Sequence, residues 1–348
     1  MRTMLIGGRV METEAVVKLV MDNYEIDVNK AIKIKNVYKL EGNKKEYCLK
    51  IVHYEYGHFL FILEAMNHLI NNGFSNVPTI IKNKLGEDYI KFDKYYAYLT
   101  DWTLARECNY DNPLDIILAA STLASLHKKS QGFLVTEEMH PRYNWLKWQE
   151  VFSTRTDEIF DFKSRIEKKE NKTEFDYKYE SMISREVKRA NKSIVDVNKT
   201  DYVNKMKVEM KKNGYCHHDF AHHNVLIGKD EGVTIIDFDY CMLDTHLHDL
   251  ASLLIRKMKN GKWDMSDAIY VLDAYSSIYP IEKTDIPIMA AFMEFPQDFW
   301  QVGIQYYWEN QPWGEEFFLN KLKRIELDRA ERQEFIDQFS NLNYGGEI

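Results

Sequence analysis

The spacing of apolar residues changes near residue 100, and that change limits the folds open to this chain. Before it, the runs are short. Residues 14–21 carry Val16, Val17, Leu19 and Val20 at helical spacing, which predicts a short opening helix. Residues 31–40 alternate around Ile32, Ile34 and Tyr38, and residues 47–52 form a second apolar run. Glu41-Gly42-Asn43-Lys44 between them reads as a hairpin turn. Phe61, Ile62, Ala65 and Leu69 place a helix over residues 59–70, stopped by Asn71-Asn72-Gly73. Residues 77–81, 88–92 and 95–100 read as further strands. Strand, strand, helix and more strands is the order of a small antiparallel sheet carrying one helix.

Beyond Thr100 the pattern turns helical. Asn112-Pro113 caps a helix running through Ile117, Leu118, Leu123 and Leu126. Residues 145–212 are highly charged and read as helical, residues 214–239 as loop with short strands, and the remainder as helices again. Phe295-Pro296 opens an aromatic-rich helix through Trp300, Tyr306 and Tyr307. The 348 residues are enough for two lobes, and the expected division is residues 1–100 and 101–348.

Composition excludes several classes of function. A net charge of -8 argues against a chain built to grip phosphate backbones, so no nucleic-acid partner is expected. Cys48, Cys108, Cys216 and Cys241 form no C-x-x-C pair, which leaves reduced thiols as the expectation. Residues 1–10 have no long apolar segment of a secretory signal, and no stretch approaches the roughly 20 apolar residues of a membrane span. A soluble protein of the cytoplasm, with no membrane partner, is expected.

The chemistry-bearing signal is Cys216-His217-His218-Asp219-Phe220-Ala221-His222-His223-Asn224-Val225-Leu226-Ile227. It fits H-x-D-x-x-x-x-N followed by an apolar strand. Thirteen residues after Asn224, Ile235-Ile236-Asp237-Phe238-Asp239 is an apolar strand ending in acids. The histidines here, with His246 and His248, lack zinc-ligand spacing and read as surface or loop-packing residues. Together the two segments resemble the catalytic loop and metal-binding segment of protein-kinase-like phosphotransferases, in the variant of the aminoglycoside and choline kinase group. The resemblance implies an α+β, bilobal protein-kinase-like fold with an N-terminal antiparallel sheet, one helix and a mainly helical C-terminal lobe. It also implies an ATP–magnesium site between the lobes.

Phosphoryl transfer needs charge neutralisation and alignment more than covalent help. By resemblance, Asp219 meets the acceptor hydroxyl, and Asn224 and Asp237 hold Mg2+ against the phosphates of ATP. Two carboxylates about 4 Å apart repel by roughly 4 kcal/mol at an effective dielectric near 20, and a divalent ion turns that repulsion into binding. Lys50, in the second apolar run, matches the lysine that reaches the nucleotide phosphates, and Glu64, fourteen residues later, the glutamate that pairs with it. Asn36, in the turn near Lys35-Asn36-Val37, and Thr100 and Trp102, at the lobe junction, are further nucleotide-binding candidates by the same resemblance. His217 and Asp249 match residues supporting the catalytic loop, and Leu123-Ala124-Ser125-Leu126-His127 resembles the helix packed beneath it. Two departures stand out: no G-x-G-x-x-G precedes Lys50, and Asp239 replaces the glycine of D-F-G.

Leu49-Lys50-Ile51, Leu99-Thr100-Asp101-Trp102-Thr103, Tyr215-Cys216-His217-His218-Asp219-Phe220 and Phe295-Pro296-Gln297-Asp298-Phe299-Trp300 resemble the CotS-like spore coat proteins of this superfamily. That family implies synthesis in the mother cell, deposition in the coat, and other coat proteins as partners. The expected function is ATP- and magnesium-dependent phosphorylation of a small-molecule hydroxyl, the acceptor being unidentified. The alternative is a catalytically weak or inactive kinase fold with an assembly role in the coat. A protein kinase is disfavoured by the short interval between Asp239 and Asp249.

Overall fold

The computed structural model describes residues 11–345. Residues 1–10, read above for a secretory signal, lie outside the described residues. The chain forms two compact units. The first comprises the described residues up to Glu107 together with Val135–Pro141 and Leu226–Asp239, segments that the sequence reading assigns to the second lobe.

The first unit opens with α1 (Thr13–Asn23), β1 (Val28–Ile34), β2 (Val37–Gly42) and β3 (Glu46–Val52). It continues through α2 (Tyr56–Asn71), β4 (Ile80–Ile81), β5 (Ile90–Phe92), β6 (Tyr95–Asp101) and β7 (Ala105–Glu107). The antiparallel order is β1-β2-β3-β6-β4, with β5 also paired to β6. Residues 31–40, one alternating run in the sequence, are broken at Lys35-Asn36, where Ile34 faces Val37 and Lys35 takes φ +52°. Two strands therefore occupy what periodicity alone reads as one. On β3, Tyr47 and Leu49 enter a core with Val16, Val20, Leu40 and Leu99. Each such buried side chain contributes about 1.5–3 kcal/mol over its exposed state. Strand alternation then sends Lys50 to the opposite face. A second sheet joins β7 to β8 (Val225–Gly228) and β9 (Val233–Ile235).

The second unit is helical: α3 (Pro113–Lys129), α4 (Trp148–Glu167), α5 (Glu174–Lys199), α6 (Tyr202–Lys212), α7 (His246–Met258), α8 (Met265–Ser276), α9 (Asp285–Glu294), α10 (Gln297–Gly303), α11 (Glu315–Leu327) and α12 (Arg329–Phe339). Asn112 caps α3 by accepting from the Leu114 N–H at 3.0 Å, as the Asn-Pro pair predicts. Thr173 and Asp176 form a capping box that starts α5. The charged stretch resolves into α4, α5 and α6, whose apolar stripes are hidden by their polar faces in composition alone. Phe162 of α4, Tyr179 of α5 and Phe299 of α10 share one core. The aromatic helix opened by Phe295-Pro296 passes from α10 into a π-helical turn, Ile304–Trp308. No helix among the described residues is long and apolar enough to cross a membrane.

Gly303 sits where α10 approaches α4 and α5. A Cβ there would come within 2.6 Å of the Phe162 ring and closer still to the Tyr179 hydroxyl. Gly303→Ala is therefore expected to destabilise the protein by about 1–3 kcal/mol, the usual range for overpacking. Urea denaturation measures this, and an unchanged midpoint would show that the contact is not tight.

Candidate functional site

In the first unit, register and alternation place the Lys50 side chain beside Tyr98, its partner across β3 and β6. The Lys50 ammonium, 6% exposed, donates to Asp237 Oδ1 and Asp239 Oδ1, each at 2.5 Å. The Tyr54 hydroxyl donates to Asp239 Oδ2 at 3.3 Å. Burial works against the charged amine, but Asp239, Tyr98 and Asp237 outweigh it and hold Lys50 well above the ordinary lysine value. Burial likewise pushes the Tyr98 phenol up. Asp237 takes φ +67°, a left-handed conformation in which a non-glycine residue is strained.

In the second unit, Asp249 organises the loop that carries Asp219. It lies in the first turn of α7, capped by Thr245 Oγ1 at 3.3 Å from the Leu247 N–H, and is 1% exposed. The His217 N–H donates to Asp249 Oδ2 at 2.7 Å and the His218 N–H to Oδ1 at 2.9 Å. His127, at the end of α3, lies 3.2 Å from Oδ2 through Nε2, while its Nδ1 is 2.7 Å from the Tyr275 hydroxyl. A carboxylate only accepts, so the proton sits on Nε2 and Tyr275 donates to Nδ1. Burial raises the Asp249 pKa, yet hydrogen bonds from His127 and His248 carry it well below the carboxylate range.

That bracket holds His218 at φ +66°, a left-handed conformation that glycine adopts more readily than any residue with a side chain. The His218 ring stacks on His248 with centroids 4.1 Å apart, and burial first, then His248, pushes its pKa well below the usual value. Asp219 follows. The Asn224 Nδ2 donates to the Asp219 carbonyl at 2.9 Å and to its Oδ2 at 3.3 Å. The Arg256 Nη2 donates to Asp219 Oδ1 at 2.7 Å. His127 Nε2, Cys216 Sγ and an Asp249 oxygen lie within 4.8 Å of one another. Those atoms are already engaged by Asp249, the Thr245 carbonyl and the loop amides, which makes the group a structural clasp.

The structure thus joins Lys50 to Asp237 in one unit, and Asp219, Asn224, His217 and Asp249 in the other. It does not form the Lys50–Glu64 pair expected from the sequence. Glu64 is half-buried on α2 with no ion-pair partner among the described residues, because Asp237 and Asp239 take the ammonium instead. Thr100 is buried opposite Cys48. The Trp102 N–H donates to the Glu46 carbonyl at 3.0 Å, and the Lys39 ammonium lies over its ring. Asn36 is exposed in the β1–β2 turn. Sequence reasoning missed Asp239 as a partner of Lys50 and Arg256 as a partner of Asp219. The signal for Arg256 is its place seven residues after Asp249, two turns on along one helix face.

Burial holds His127 below the ordinary imidazole pKa. The unfolded chain therefore takes up protons at His127 below about pH 6.5 and at Asp249 below about pH 4, while the native state resists both. Stability is full above pH 6.5 and falls as the pH drops through each value. His127→Gln is expected to flatten the decline between pH 7 and pH 5 in urea midpoints. An equally steep decline in that variant would remove His127 from the account.

With these geometries in hand, the relatives of the chain can be set beside it. Residues 17–339 match the family described as "Spore coat putative kinase YutH". Spore coat protein S of Bacillus subtilis (strain 168) is 21% identical over 311 residues, covering 88% of each chain. The crystal structure of an aminoglycoside phosphotransferase from Alicyclobacillus acidocaldarius is 20% identical with a TM-score of 0.80, covering 97% of this chain and 98% of that one. A spectinomycin phosphotransferase in complex with ADP and spectinomycin is 16% identical with a TM-score of 0.68, covering 96% and 100%. The likeness to these structures establishes the fold, and the match across most of its length places the chain in the spore coat kinase-like YutH family.

Proposed function

We propose that the chain is a magnesium–ATP-dependent phosphotransferase acting on the hydroxyl of a small molecule, in the setting of the spore coat. The observation that carries this reading is the buried Lys50 ammonium held by Asp237 and Asp239. One cation between two carboxylates leaves a net negative, all-oxygen donor set, the kind a hard divalent ion prefers. Left-handed backbone at Asp237 is the sort of strain that persists at ligand-binding positions. These residues fit a magnesium–nucleotide.

In this reading Lys50 steadies the nucleotide phosphates, and Asp237 holds the metal. Asn224 spends its amide nitrogen on Asp219 and offers its oxygen as a further metal ligand. Bound magnesium–ATP would supply the phosphoryl group, the counter-charge for it, and ADP as the leaving group to take the electron pair of the broken phosphorus–oxygen bond. Asp219 orients the acceptor hydroxyl and takes its proton as the oxygen bonds to phosphorus. The aminoglycoside and spectinomycin phosphotransferases of similar fold support transfer to a small molecule over transfer to a protein.

A second reading, a coat component with little turnover, is favoured by one observation: Asp219 is already paired with Arg256. Two variants separate the readings. Lys50→Ala is expected to weaken magnesium–ATP binding by about 10- to 100-fold, as loss of a charged hydrogen bond worth roughly 1.5–3 kcal/mol implies. Asp219→Ala is expected to lower transfer by about 10²–10⁴-fold while sparing nucleotide affinity. Calorimetry that finds no magnesium–ATP affinity in the unmodified protein would leave the coat reading standing alone.

A further inference from the structure

The Asp219–Arg256 pair carries information about the acceptor. Both side chains are about one-third exposed, 30% and 32%, so a molecule approaching Asp219 from solvent also meets Arg256. An ammonium placed against that guanidinium would be repelled. An anion there would be attracted. Only the Nη2 of Arg256 is engaged with Asp219, and a guanidinium carries five N–H donors arranged to match carboxylate or phosphate oxygens.

Arg256 is not the sole cation beside this loop. Arg142 and Arg155 both act against protonation of His218, the residue preceding Asp219. The Arg155 guanidinium lies 4.4 Å from the Trp300 ring centroid and donates to Gln297 Oε1 at 2.6 Å. Arg142 lies over the Tyr240 ring. Among the described residues, neither Arg142 nor Arg155 has an ion-pair partner. The neighbouring acids are committed elsewhere: Asp249 to the loop amides, Asp244 to Asn144 and Trp148, and Glu158, which tempers Arg155, to the Trp300 indole. These acids keep their charge, but their oxygens are taken up by other donors, so Arg142 and Arg155 stand beside the loop without a paired carboxylate among the described residues.

We propose that the acceptor is a hydroxyl compound bearing an anionic group, a carboxylate or a phosphate, and that Arg256 recognises that group. The inference rests on the phosphotransferase reading. Without acceptor, Arg256 occupies the carboxylate that would receive the hydroxyl. An arriving anion draws the guanidinium away and leaves Asp219 to the hydroxyl of the same molecule. The pair therefore selects the acceptor and holds Asp219 in reserve until the acceptor is present.

The test uses ATP labelled at the γ-phosphate and a bacterial small-metabolite extract, separated by ion exchange into anionic, neutral and cationic pools. The full chain is compared with Arg256→Gln, Arg256→Lys and Asp219→Ala. Label is expected to enter compounds of the anionic pool. Arg256→Gln is expected to slow labelling at least tenfold at dilute pool, with recovery as the pool is concentrated, and Arg256→Lys to retain part of the rate. Should the Gln variant fail to fold, the Lys variant decides, because an ammonium keeps the charge but not the planar fork. Label entering the neutral or cationic pool, or an anionic pool labelled equally by the variants, overturns the anion assignment and leaves the phosphotransferase reading intact. No label in any pool overturns that reading and this inference with it.

Discussion

One buried carboxylate, Asp249, fixes the geometry of the loop that carries Asp219 in the second unit. Asp249 receives two consecutive backbone N–H groups and lies within hydrogen-bond reach of the His127 and His248 rings, so its negative charge is met by backbone dipoles and imidazoles without a lysine or arginine. Leaving either amide unsatisfied in such surroundings would cost about 1–3 kcal/mol, which makes the loop conformation steeply preferred. The left-handed turn at His218 follows from this clamp, and the direction of Asp219 follows from the turn. His127 and Tyr275 extend the clamp into α3 and α8, tying the loop to two helices distant in sequence.

The first unit meets its electrostatic demand differently. Lys50 is charged and almost wholly buried, which is tolerable only because two carboxylates reach it. Asp239 has a double role. It outnumbers the ammonium together with Asp237, and with Tyr54 it anchors a position that is glycine in protein kinases. A segment pinned by an ion pair and a phenol hydroxyl has less freedom to flip than one hinged on glycine.

The fold class was legible because the period of apolar residues changes once and because the helix and turn signals around it agree. Asn112-Pro113 starts α3, and Phe295-Pro296 precedes α10, at the places their chemistry dictates. The break at Lys35-Asn36 was less visible to periodicity, since Lys35 is an uncommon residue for positive φ and the turn there was suggested only by the resemblance. At the candidate site, the H-x-D-x-x-x-x-N spacing singled out His217, Asp219 and Asn224, because loop geometry demands local spacing, while Asp249 was reached only through the resemblance. Partnerships across long separations were hidden. Lys50 chooses Asp237 and Asp239 over Glu64 for reasons of distance, and a sequence does not carry distance. Arg256 escaped notice since a basic residue in the last turn of a helix is ordinary on dipole grounds alone.

The first unit is not one continuous stretch of chain, and this has a bearing on its birth. Its strands β8 and β9, and the acids that neutralise Lys50, are encoded far downstream of β3. Asp239 leaves the ribosome 189 residues after Lys50, a delay of about 10–40 s at roughly 5–20 residues per second. Throughout that interval the lysine has no counter-ion of its own to bury against. The amino-terminal sheet therefore emerges with Lys50 unneutralised, the β7 strand waits for β8 and β9 while α3 to α6 are synthesised, and the completion of one unit is timed by the emergence of the middle of the other.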